Sequence, residues 1–134
     1  MSPGVRSEIL EAMRRHAAWC APEEACGLVA IDAAGVVRFV YSLTNIAHSP
    51  TRFIVDPEEH FGALCHAERS GWEVGGVFHS HPEGSVGLSE TDVAEAPDPT
   101  WWYFVVAGEQ VGCYRLGEGG VVDVSLDVIG STEP

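Results

Sequence analysis

The chain has 134 residues, 46% of them hydrophobic, enough for a single domain with its own core, and it holds no apolar run long enough to span a bilayer. A formal net charge of −13, from 20 acidic residues against seven arginines and no lysine, argues against nucleic acid as a partner, because phosphate backbones are held by Lys and Arg. The start, Met1-Ser2-Pro3-Gly4-Val5-Arg6, lacks the basic-then-apolar pattern of a secretory signal, so the expected location is the cytoplasm, with Cys20, Cys26, Cys65 and Cys113 reduced.

Val5, Ile9, Met13 and Ala17 recur at helical spacing and predict an amphipathic helix over residues 5–19, broken by Ala21-Pro22-Glu23. Two β-rich runs, Cys26 to Ile31 and Val36 to Ser42, flank Asp32-Ala33-Ala34-Gly35 and read as a hairpin, which puts Glu24 at the entrance to its first strand. Cys26 reads as a small buried residue rather than a nucleophile. Residues 44–50 form a loop, and a short strand is expected from Arg52 to Val55. Asp56-Pro57-Glu58-Glu59 combines a cap, a first-turn proline and acids at a helix start, and Ser70-Gly71 stops that helix after Arg69. His16, His48, His60 and His66 have no co-ligands in sequence and read as exposed or packing residues.

Trp72 to Phe78 reads as a buried strand running into His79-Ser80-His81-Pro82. Alternation on a strand turns His79 and His81 to one side, where they can share an ion, and Pro82 ends the pairing. After a loop with Gly84 and Gly87, Ser89-Glu90-Thr91-Asp92 reads as a first helical turn, which brings the Asp92 carboxylate. Two imidazoles and one carboxylate suit zinc and leave a fourth position open, the pattern of a catalytic rather than a structural site; the same set also accepts iron or cobalt. Ser89 and Asp92 equally fit a capping box. No Arg or Lys lies between Arg69 and Arg115, so the region of the metal is poor in cations. Pro97-Asp98-Pro99 keeps the third helix short, and Trp101 to Ala107, Val111 to Leu116 and Val121 to Val128 read as a β-meander. The expected class is α/β (α+β), with a mixed, mostly antiparallel sheet and flanking helices.

The run His-x-His-Pro, six residues, then Ser-x-x-Asp, with an upstream glutamate ahead of a Cys-Gly pair at Glu24-Ala25-Cys26-Gly27, resembles the signature of the JAMM (MPN+) metalloproteases. The resemblance implies a fold similar to the cytidine deaminases, and zinc on His79, His81 and Asp92 that generates hydroxide from water. It makes Glu24 the general base, with Glu23 displaced from the matching position, and Ser89 the oxyanion donor, a use that competes with capping for one hydroxyl. It further implies hydrolysis of a peptide or isopeptide bond after the C-terminal Gly-Gly of a ubiquitin-like protein. The short loops resemble compact prokaryotic members that act on ubiquitin-like sulfur-carrier proteins, either trimming the tail or releasing cysteine. A non-catalytic interaction module and a metallopeptidase with unrelated peptide substrates stay open as alternatives.

Overall fold

The computed structural model describes residues 2–130. The elements in order are β1 (Gly4–Arg6), α1 (Ser7–Cys20), β2 (Cys26–Ile31), β3 (Val37–Leu43), α2 (Pro57–Arg69), β4 (Glu73–Ser80), α3 (Glu90–Ala94), β5 (Trp102–Ala107), β6 (Gln110–Gly117), β7 (Gly120–Val124) and β8 (Asp127–Ile129). Strands β3-β2-β4-β5-β6-β7 form one mixed sheet, antiparallel throughout except for the parallel pair β4 and β5.

Side-chain alternation gives this sheet two buried faces. Val29, Phe78 and Phe104 project toward α1 and meet Leu10 and Met13, whereas their chain neighbours Leu28, Val77 and Val105 project toward α2 and meet Ala63 and Ala67. Helices therefore cover both sides, and α2 begins as its sequence requires, with the Asp56 carboxylate accepting from the Glu58 and Glu59 amides. His79 shares the parity of Val77 and so lies on the α2 side.

Between β2 and its neighbours there is no room for a side chain at Gly27. A Cβ there would sit 2.1 Å from the Tyr41 carbonyl oxygen and 2.3 Å from the Phe78 ring, so glycine allows the strands and that ring to close up.

Three sequence expectations are corrected. Residues 52–55 are not a strand. Only an isolated bridge joins Val55 to Asn45, because the Asn45 side chain takes the Ile54 amide that a strand partner would have used. Helix α1 starts at Ser7 rather than at residue 5, since Gly4–Arg6 is extended and pairs in parallel with β8. The run expected from Val121 to Val128 is divided at Ser125–Leu126. There the chain leaves β6 for β1, and the Asp127 amide donates to the Pro3 carbonyl at 3.1 Å. The hairpin β2–β3, the β5–β6–β7 meander and the short α3 match the sequence reading.

Candidate metal centre

His79 and His81 occupy the end of β4 and the residue after it. The His81 amide donates to the Val106 carbonyl at 2.9 Å, which carries the β4–β5 pairing one residue past the strand. The chain then crosses over to α3, whose first turn brings in Asp92. Here Ser89 and Asp92 form the reciprocal capping box, with the Asp92 amide donating to Ser89 Oγ at 3.0 Å and the Ser89 amide to Asp92 Oδ2 at 2.9 Å.

Three atoms converge: His79 Nε2, His81 Nε2 and Asp92 Oδ2 are each 3.1 Å from the other two. Ligand atoms on a tetrahedral ion with bonds of about 2.0–2.1 Å stand about 3.3 Å apart, so the triangle matches one face of such a polyhedron. Tautomers agree. The His81 Nδ1–H donates to the Ser85 carbonyl at 2.9 Å, which leaves the Nε2 lone pair of a neutral ring facing the other two atoms. Lone pairs held this close repel unless a cation sits among them, either a proton or a metal. The hydrogen bond to Asp92 accordingly raises the His81 pKa. Burial works to raise the Asp92 carboxyl, but hydrogen bonds from both imidazoles and the Ser89 amide outweigh it and leave the group well below the usual carboxylate range. Among the described residues this is the one group of three that meets the geometric requirement for a metal.

Glu24 lies across the strand pair. Cys26 is opposite His79 in the β2–β4 register, and the Ser80 amide donates to the Ala25 carbonyl at 3.1 Å, so Glu24 falls opposite His81. Its side chain is 3% exposed, and the buried Oε1 has no hydrogen-bond partner. A carboxylate oxygen left in this state normally faces a water or ion. Burial pushes its pKa up to about 7, with His81 working to lower it and Asp92 to raise it. Unlike Glu24, Glu23 is half-exposed and meets His48 at 3.3 Å, away from the triangle.

The backbone that carries Glu24 is held by groups that sequence reasoning did not single out. The Asn45 amide nitrogen donates to the carbonyls of Glu24 and Arg52, both at 3.0 Å, while its oxygen accepts from the amides of Ala47 and Ile54 at 2.9 and 3.0 Å. The Glu24 amide donates to the Ser49 carbonyl at 2.9 Å, and Ser80 Oγ accepts from the Ala25 amide at 2.8 Å. Phe53 stacks on His79 with centroids 4.8 Å apart. An Asn in a loop was the available signal for the first of these; Ser80 was visible only as the residue between two histidines.

Ser89 is exposed at the mouth of the site. Capping uses one of its acceptor lone pairs and leaves the O–H free to donate, so capping and oxyanion donation are compatible rather than competing uses. The other histidines stay apart from the triangle: His66 Nδ1 meets the Tyr41 hydroxyl at 2.7 Å, His16 Nε2 the Leu43 carbonyl at 3.2 Å, and His60 lines a neighbouring cavity. Burial pushes the Cys26 thiol up to about 12, an inert group as expected. No helix among the described residues is long and apolar enough to cross a membrane.

Comparison with known proteins places the same span in one family. The profile described as prokaryotic homologs of the JAB domain matches residues 6–117. A protein named desampylase from Haloferax volcanii is 34% identical over 107 residues, 78% of this chain and 77% of that one. A protein named CysO-cysteine peptidase from Mycobacterium tuberculosis is 27% identical over 131 residues, 93% of this chain and 90% of that one. Among solved structures, a Desulfitobacterium hafniense protein superposes with a TM-score of 0.83 at 29% identity, covering 97% of this chain and 93% of that one. A JAB1/MPN domain protein from Archaeoglobus fulgidus does so with a TM-score of 0.65 at 21% identity, covering 96% and 99%, a likeness of fold.

Proposed function

The chain belongs to the prokaryotic JAMM family, the JAB-domain homologs, and from that premise we propose a zinc-dependent peptidase that cleaves ubiquitin-like small-protein conjugates or tails. The observation that carries the reading is the triangle of His79, His81 and Asp92 beside a buried carboxylate with an unpartnered oxygen. In this reading His79, His81 and Asp92 would hold the metal. When bound, zinc supplies Lewis acidity, which polarises a carbonyl and brings the pKa of water toward neutrality.

The remaining work falls to the chain. Glu24, with a pKa near 7, takes a proton from the attacking water and returns it to the leaving amine. Its backbone is fixed on both sides by Asn45 and Ser49, which sets where the side chain departs from the strand. Ser89 donates its free O–H to the oxygen of the former carbonyl. Hydrolysis is direct, with no covalent enzyme intermediate.

The substrate we favour is a ubiquitin-like sulfur-carrier protein with a Gly-Gly tail, processed in the cytoplasm. Two named relatives support this: the CysO-cysteine peptidase, which matches over most of both chains, and the desampylase. The test is intact-mass analysis of a sulfur carrier extended past Gly-Gly by one cysteine, incubated with this protein, with protein plus chelator, and with Glu24→Gln. Loss of the extension only with metal-loaded wild type is the expected result. An unchanged mass in every arm, despite one bound zinc and an intact fold, overturns the substrate assignment.

A further inference from the structure

The two imidazoles of the triangle are held by unlike means. His81 follows the usual pattern of a metal-binding histidine, with its second nitrogen donating to a carbonyl, that of Ser85. His79 does not. Its Nδ1 is buried and has no hydrogen-bond partner among the described residues. What lies against its ring instead is the face of Phe53, with centroids 4.8 Å apart and planes 21° from parallel. We infer that Phe53 is a positioning residue for His79, its flat ring fixing the imidazole as the Ser85 carbonyl fixes His81; this rests on the metal reading above.

The geometry shows why a face contact can do this. The Nε2 lone pair lies in the plane of the imidazole. A turn about the Cβ–Cγ bond therefore swings Nε2 out of its 3.1 Å approach to His81 Nε2 and Asp92 Oδ2. A hydrogen bond at Nδ1 resists that turn in most metal sites. Here the same turn drives the edge of the imidazole into the phenyl face. His81 meets the His79 ring edge-on at 4.9 Å and adds a second contact.

A ring can position another only if it is itself held. Residues 52–54 lie outside the sheet, yet the backbone is tied on both sides of Phe53 by one side chain. Asn45 donates to the Arg52 carbonyl and accepts from the Ile54 amide, both at 3.0 Å. The Ile54 carbonyl in turn accepts from the Ile46 amide at 2.9 Å. The same Asn45 amide reaches the Glu24 carbonyl, so the loop that carries Phe53 and the strand entrance that carries Glu24 share an anchor. Support of this kind beneath a site is what keeps its groups in register.

A phenyl that only filled space could be exchanged for an aliphatic group of like bulk, whereas one that sets a ring plane could not. The experiment therefore uses the full chain as wild type, Phe53→Leu, Phe53→Met, Phe53→Tyr and Ile54→Ala. Zinc dissociation constants are measured by competition with a chromophoric chelator. Both aliphatic variants should bind zinc about tenfold to a hundredfold more weakly, the loss seen when an outer partner of a ligand is removed. Phe53→Tyr keeps the aromatic face and should hold the wild-type constant. Ile54→Ala, which alters the same loop but not the ring, should hold it too. In the cobalt-loaded proteins the visible band should change shape in Phe53→Leu and not in Phe53→Tyr. Equal zinc constants in wild type and both aliphatic variants overturn the role. So does an equal loss in Phe53→Tyr or in Ile54→Ala, because the aromatic face would then not be what matters. A wild type that binds no zinc overturns the metal reading, and the inference falls with it. No arm reads cleavage, so failure of the substrate assignment alone leaves the result standing.

Discussion

Replacing Glu24 by glutamine should make the metal-free protein more stable at alkaline pH and at the same time inactive. The carboxyl is buried, and its pKa stands at about 7 against 4.5 for the ordinary group. Between those values the folded state binds more protons than the unfolded chain, so folding stability falls as pH rises through this window. At about 1.36 kcal/mol per pH unit, the fold bears about 3 kcal/mol of this cost once Glu24 is ionised. That is a large share of the 5–15 kcal/mol typical of a domain. Glutamine has no charge to desolvate. Urea unfolding of chelator-treated wild type and Glu24→Gln, at a series of pH values from about 4 to about 8, isolates the effect, since the remaining titrating groups are common to both. The wild-type midpoint should fall relative to the variant by about 1–3 M across the series, for m-values of about 1–3 kcal/mol/M. Parallel curves would refute the argument. Turnover by the variant should drop about a hundredfold or more with zinc content unchanged, because general-base catalysis contributes on that order.

Zinc affinity should weaken as pH is lowered through the raised pKa of His81, since the proton and the metal compete for the same Nε2; competition titration with a zinc dye at successive pH values reads this directly. Asn45→Ala removes four hydrogen bonds and should cost about 3 kcal/mol in urea unfolding, with a further loss of kcat in whatever fraction stays folded. Gly27→Ala drives a methyl into the Tyr41 carbonyl and the Phe78 ring and should destabilise by about 3 kcal/mol, measured by thermal unfolding. Ser89→Ala should lower kcat while Ser89→Thr, which keeps both the cap and the O–H, retains most of it.

What was legible in the sequence is what is local in the chain. His79, His81, Ser89 and Asp92 fall within 14 residues, and strand alternation followed by a capped turn is enough to bring them together. Glu24 was different: its distance from the motif left resemblance as the means of choosing it over Glu23, and only the β2–β4 register explains the choice physically. Asn45 showed in the sequence only as an Asn in a loop, and its role stayed hidden because its four partners come from three separate segments that meet only in the folded loop. The misread strand at residues 52–55 follows from the same cause, as β-branched residues there looked like strand formers while a side chain was taking their ladder positions. Pairing of β1 with β8 joins three residues to three others at opposite ends of the chain, too short a signal for periodicity to show.

In the six-stranded sheet only β4 and β5 run side by side in the same direction. Antiparallel neighbours can be joined by two residues, whereas a parallel pair obliges the chain to travel back along the full length of a strand before it can start again. That return journey, residues 81–101, is where His81, the Ser85 carbonyl, Ser89 and Asp92 are found. The third residue of the proposed metal site is therefore carried by chain that the topology had to spend in any case. Substrate preference can then change by altering the parts of this connection that lie between its fixed points, and the sheet beneath need not move.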